Sequence, residues 1–134
     1  MNVYIAAPYQ MRDEALVLMF LLKDEGIGCT SSWLTESAED DSDEAARRDL
    51  ADIDKADAFV AMAPERYRNA GTGGRHVEYG YAFALGKPLL LLGIVSNVFH
   101  RLSEAVVVDS VTELVLRLNC LKDSKGVRST AQIQ

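Results

Sequence analysis

The chain is poor in cysteine, proline and tryptophan, with two, three and one among 134 residues. Cys29 and Cys120 form no CxxC, so neither a redox motif nor a thiolate metal clip is written here; both read as small buried hydrophobes. His76 and His100 have no partners at ligand spacing, so no metal site is expected, and no cofactor is called for. Basic residues are in the minority: 14 Lys and Arg against 20 Asp and Glu give a net charge of −6. That balance excludes the basic stripe a nucleic-acid polymer needs, though not a pocket for one nucleotide. The apolar run at 89–94 is far too short to cross a membrane. The chain enters a strand pattern at Val3 without a basic n-region or an apolar h-region, so a cytoplasmic protein is expected. No serine or cysteine stands in a nucleophile-elbow sequence.

What is present is ordinary globular composition, 49% hydrophobic and 25% charged, in a length that suits one domain with a real core. Residues 3–7 read as a strand ended by Pro8. Residues 10–25 read as a helix, with Leu16, Met19 and Phe20 at i, i+3 and i+4 and Gly26 as its stop. Residues 27–34 are a weaker strand. The acidic run 39–44 reads as a solvated helix start, and that helix reaches about Lys55 with Ala46, Leu50 and Ile53 on its buried stripe. Strands follow at 57–63, 88–93 and 106–108, and a helix lies between the first two, ending at Gly86. The last helix opens on a capping box, Ser110 to Glu113, and carries Val111, Leu114, Val115 and Leu118 on one stripe. Beyond Leu121 the chain turns polar, so residues 1–121 form the domain and 122–134 a loose tail. The alternation predicts a single doubly wound α/β domain with a five-stranded parallel sheet, its ligand at the carboxyl ends of the strands.

Three features fall on that edge: residues 8–10, residues 33–36 and the turn 71–78. The turn is the most informative stretch. Gly71, Gly73 and Gly74 precede Glu78, and backbone N–H groups in such a turn cradle an anion at a helix start. Glu78, read as a first-turn residue, is expected to stay ionised. It has two readings, a dipole-complementing acid or a residue that faces the ligand. Asp49 lies on the stripe of Ala46, Leu50 and Ile53, where an acid needs a partner. It is either a helix-edge acid paired with Arg47, Arg48 or backbone, or a working carboxyl. Two carboxyls in different surroundings divide roles as glycosidases do: Glu78 the ionised nucleophile, Asp49 the one able to hold a proton. Tyr9 and Trp33 either stack on a base or fill space.

The chain resembles the nucleoside 2-deoxyribosyltransferase-like superfamily over three blocks, residues 3–9 (VYIAAPY), 48–61 (RDLADIDKADAFVA) and 74–88 (GRHVEYGYAFALGKP). The resemblance implies a flavodoxin-like (Rossmann-like) fold, cleavage of an N-glycosidic bond, and a homodimer or higher oligomer. It also implies a covalent glycosyl-enzyme on a glutamate, which Glu78 matches, and an aspartate near base and sugar, which Asp49 matches. Transferases of that superfamily carry an aspartate six residues before the nucleophile, and hydrolases of nucleoside 5'-monophosphates a serine. This chain has Thr72 there, and its C-terminus lacks the aromatic end of the transferases. The implied site therefore includes Tyr9, Trp33, Gly71, Thr72, Gly73, Gly74 and His76. The hydrolases place an arginine where this chain has Gln10; Arg12 or Arg75 is the substitute for phosphate. The expected activity is hydrolysis of a (deoxy)nucleoside 5'-monophosphate to base and sugar phosphate. Base exchange between deoxynucleosides, a nucleotide-sensing module without turnover, and NAD cleavage are the alternatives.

Overall fold

A computed structural model describes residues 1–36 and 39–133, with side chains through Ser124. Five strands form one sheet: β1 (Asn2–Ala6), β2 (Gly28–Cys29), β3 (Ala58–Ala63), β4 (Leu89–Gly93) and β5 (Ala105–Val108). The order is β2-β1-β3-β4-β5 and every pairing is parallel. The connections carry α1 (Arg12–Asp24), α2 (Asp43–Lys55) and α3 (Gly74–Ala84), and α4 (Val111–Ile133) closes the chain. This is the doubly wound, flavodoxin-like arrangement expected from the alternation. The order reverses between β1 and β3, so their carboxyl ends splay and leave a crevice.

The central strands are apolar without alternation because helices cover both faces. Val3, Tyr4, Ile5, Phe59, Val60, Leu89 and Leu91 are all buried. Tyr4 stacks on Phe59 at 5.7 Å, and Phe59 meets Tyr79 edge-on at 6.0 Å. Each such side chain contributes about 1.5–3 kcal/mol by leaving water. Gly93 closes β4 at φ 134°, and a β-carbon there would stand 2.1 Å from the Ala63 carbonyl oxygen. On α4, Leu114 and Leu118 are buried and Ser110 Oγ caps the Glu113 N–H at 3.1 Å, as the capping box predicts. The helix continues past Leu121 to Ile133.

Four local expectations are corrected. The buried stripe of α1 is Ala15, Leu18 and Leu22, continued back to Met11; Leu16 and Met19 are half-buried and Phe20 exposed. Apolar residues surround α1, so periodicity leaves its face open, and the 3-10 turn Tyr9–Met11 that plants Met11 in the core decides it. On α2, Ala45, Asp52 and Ile53 are buried while Ala46 is exposed, a rotation of about one residue. Asp52 tolerates burial because it accepts from the Ser32 N–H at 3.1 Å and from the Ser32 hydroxyl. β2 stops at Cys29 because side chains take over the bonds of β1. Ser31 Oγ accepts from the Ile5 N–H, and Trp33 Nε1 donates to the Ile5 carbonyl. Trp33 and Leu34 then sit buried in a 3-10 turn, Ser32–Thr35. Finally, Cys29 is half-buried, packed against the edge of the core, and Cys120 is exposed.

Candidate active site

The crevice at the switch point holds a cavity of about 340 Å³. β1 supplies Tyr4, and the turn after it supplies Ala7, Pro8 and Tyr9. The loop after β2 supplies Trp33, Glu36, Glu39 and Asp40; α2 supplies Arg48 and Asp49; the turn after β3 supplies residues 71–75; α3 supplies Glu78. Residues far apart in the chain meet because parallel strands carry all their following loops to one edge.

Gly71 and Gly73 have φ 82° and 94°, left-handed values that favour glycine. Gly73 caps α3 without a side-chain hydrogen bond, and a β-carbon at Gly73 or Gly74 would meet nothing within 4 Å. The helix start is therefore open to a ligand. Arg75 does not reach toward it. Its guanidinium donates to the carbonyls of Ala70, Tyr67 (3.4 Å) and Arg68 (3.0 Å), which pins the turn from behind.

Glu78 begins the second turn of α3, past the reach of the helix dipole. Tyr4 donates its hydroxyl to Glu78 Oε2. Burial dominates and pushes the Glu78 carboxyl up to about 7; the Tyr4 hydrogen bond opposes the rise and Asp49 adds to it. The expected ionised first-turn glutamate is thus corrected: desolvation replaces the dipole as the governing effect. The Tyr4 hydroxyl is raised too, by burial first and then by Glu78 and Asp49. Asp49 is raised to about 6 by burial, against the pull of Arg48 and with help from Asp52, Glu36 and Asp40. Burial thus raises both carboxyls toward neutral pH.

Arg48 bridges the acids of α2 and of the loop after β2. Its guanidinium makes an ion pair with Glu36 and stands 3.9 Å from Asp49 Oδ1. The pairing lacks hydrogen-bond geometry: Glu36 Oε1, Arg48 Nε and Asp49 Oδ1 are buried without a hydrogen-bond partner among the described residues.

The structure thus brings Tyr9, Trp33, Asp49, Gly71, Thr72, Gly73, Gly74, Arg75 and Glu78 to one cavity. Gln10, Arg12 and His76 stand outside its lining. Gln10 is exposed, Arg12 lies 3.9 Å from Asp13, and His76 faces Asn97 (3.3 Å) and the buried His100. Sequence reading placed Glu36 on this edge with residues 33–36 but missed Tyr4 and Arg48 as cavity residues. Tyr4 carried a signal, since a tyrosine in a fully buried strand must give its hydroxyl a partner. Glu39 and Asp40 are exposed, as the solvated reading expects, and also line the cavity, while Asp43 and Glu44 serve the start of α2. Among the described residues no group of three or more His, Cys, Asp or Glu is arranged to hold a metal, and no helix is long and apolar enough to cross a membrane.

No family model matches the chain, and no curated protein matches it. Solved structures match by shape. The CMP N-glycosidase of Clostridium botulinum aligns with a TM-score of 0.60 at 22% identity, over 90% of this chain and 99% of that one. A 2-deoxyribosyltransferase from Bacillus psychrosaccharolyticus aligns at 0.64 and 20% identity, over 86% and 90%. A 2-deoxyribosyltransferase from Leishmania mexicana aligns at 0.54 and 24% identity, over 69% and 63%. At such identities the likeness establishes the shared fold.

Proposed function

We propose that this chain is an enzyme that hydrolyses the N-glycosidic bond of a nucleoside 5'-monophosphate, with Glu78 as nucleophile. The observation that carries the reading is the pairing of Tyr4 with Glu78 in the lining of the switch-point cavity, close enough to Asp49 to feel its charge. Tyr4 holds Oε2, which leaves the other carboxylate oxygen to attack C1'. The C1'–N bond breaks as the ester forms, its electron pair leaves with the base, and the base takes a proton from Asp49 or water. Water then attacks C1', the Glu78 carboxylate is released, and free base and sugar phosphate result. The structural likeness to a CMP N-glycosidase and to two deoxyribosyltransferases supports the bond that is broken.

The phosphate sits at the open start of α3, held by its first amides and the Thr72 hydroxyl. Arg75 acts behind the turn rather than on the phosphate, and Arg12 is not in the lining. Recognition therefore falls to backbone amides. The test is chromatography of free base after incubation with a panel of nucleoside monophosphates and the matching nucleosides. Base release from the monophosphates only, lost in Glu78→Ala, is expected; full release by Glu78→Ala would sink the mechanism. The two transferase neighbours favour base exchange as a second reading. Adding a second free base to the same reaction tests it, since a new nucleoside appears only under exchange.

A further inference from the structure

The lining of the cavity is uneven in charge. The acids Glu36, Glu39 and Asp40 and the Arg48–Asp49 pair belong to α2 and the loop after β2. The open amides at residues 71–74 belong to the turn after β3, across β1. A nucleotide with its phosphate at the turn and C1' at Glu78 points its base toward the acid side.

That side offers a specific set of unmet groups. Asp49 Oδ1 is a buried acceptor and Arg48 Nε a buried donor, neither with a hydrogen-bond partner among the described residues, while Glu36 Oε1 meets Arg48 Nη2 only as an ion pair outside hydrogen-bond geometry. Arg48 keeps Glu36 and Asp49 close together, so two acceptors flank one donor direction. An exocyclic amino group meets these acceptors, and the ring nitrogen or carbonyl beside it accepts from Arg48. Uracil and thymine present two carbonyls around one N–H, and a carbonyl would then face a carboxylate. Leaving buried polar groups unpaired is what makes such a site discriminate.

Resting on the proposed function, we infer that the Arg48–Glu36 pair is a specificity-determining element that selects amino-bearing bases over uracil and thymine. The test separates binding from turnover. The Glu78→Gln protein, which keeps the cavity without the attacking carboxylate, is titrated calorimetrically with CMP against UMP and dCMP against TMP. The amino member of each pair binds about tenfold or more tightly, the scale of one well-placed base contact. Adding Glu36→Gln, whose amide supplies a donor to a carbonyl, erases most of that ratio by strengthening UMP binding. Arg48→Gln is the second variant, should Glu36→Gln fail to melt cooperatively, and it too collapses the ratio. Equal affinities, a preference for UMP or TMP, an unchanged ratio in a folded variant, or no binding of any nucleotide overturns the inference. Base release by the unmutated protein is scored separately: a binding preference without release removes the proposed function and leaves the selectivity standing.

Discussion

The decisive residue is Tyr4. Its hydroxyl stabilises the charged form of Glu78, which burial otherwise disfavours. Removing it in Tyr4→Phe raises the Glu78 pKa further. The rising limb of kcat/KM, near pH 7 in the unmutated protein, should move to higher pH, with about a tenfold loss at neutral pH. A pH–rate profile checks this, and an unmoved limb would show that Tyr4 serves only packing. Tyr4 belongs to the strand pattern in sequence, and only the meeting of β1 with α3 gives its hydroxyl a task.

At the scale of elements, the start of α3 does the positioning. Gly73 at φ 94° turns the chain into the helix, and the Arg75 guanidinium ties the preceding carbonyls. Gly73→Ala forces a side chain into a left-handed position and should cost about 1–3 kcal/mol of stability. Thermal melting reads that cost, and kinetics should show a raised KM for the nucleotide because the open amides shift. The glycine-rich turn, the flanking strand and the helix end at Gly86 were all legible in the sequence. The truncation of β2 was not, because it follows from Ser31 and Trp33 side chains satisfying the Ile5 backbone. Hydrophobic pattern carries no record of such replacements.

For the whole molecule, the buried Glu78 links stability to pH. Its folded pKa of about 7 lies above the ordinary value of 4.5. The fold is therefore favoured most below that ordinary value, and the advantage disappears as pH rises through about 7. The whole effect is at most roughly 3 kcal/mol. Glu78→Gln, which never ionises, should melt progressively higher than the unmutated protein between pH 5 and pH 8. Parallel melting curves across that range would contradict the burial of an ionisable Glu78.

Sequence alone determined the succession of strands and helices and the single parallel sheet, and it pointed to the crevice edge and to Glu78 and Asp49, which the fold brings to one cavity. These follow from local rules: apolar runs, caps, glycine stops and the alternation that forces parallel strands. The tertiary structure alone decided which face of α1 and α2 is buried, that Arg75 braces the turn, and that Arg48 pairs with Glu36 at the cavity. It also showed that burial raises both carboxyls, Glu78 included. Charge state and side-chain partnership depend on what lies across the crevice, and those neighbours come from loops that only the folded sheet brings together.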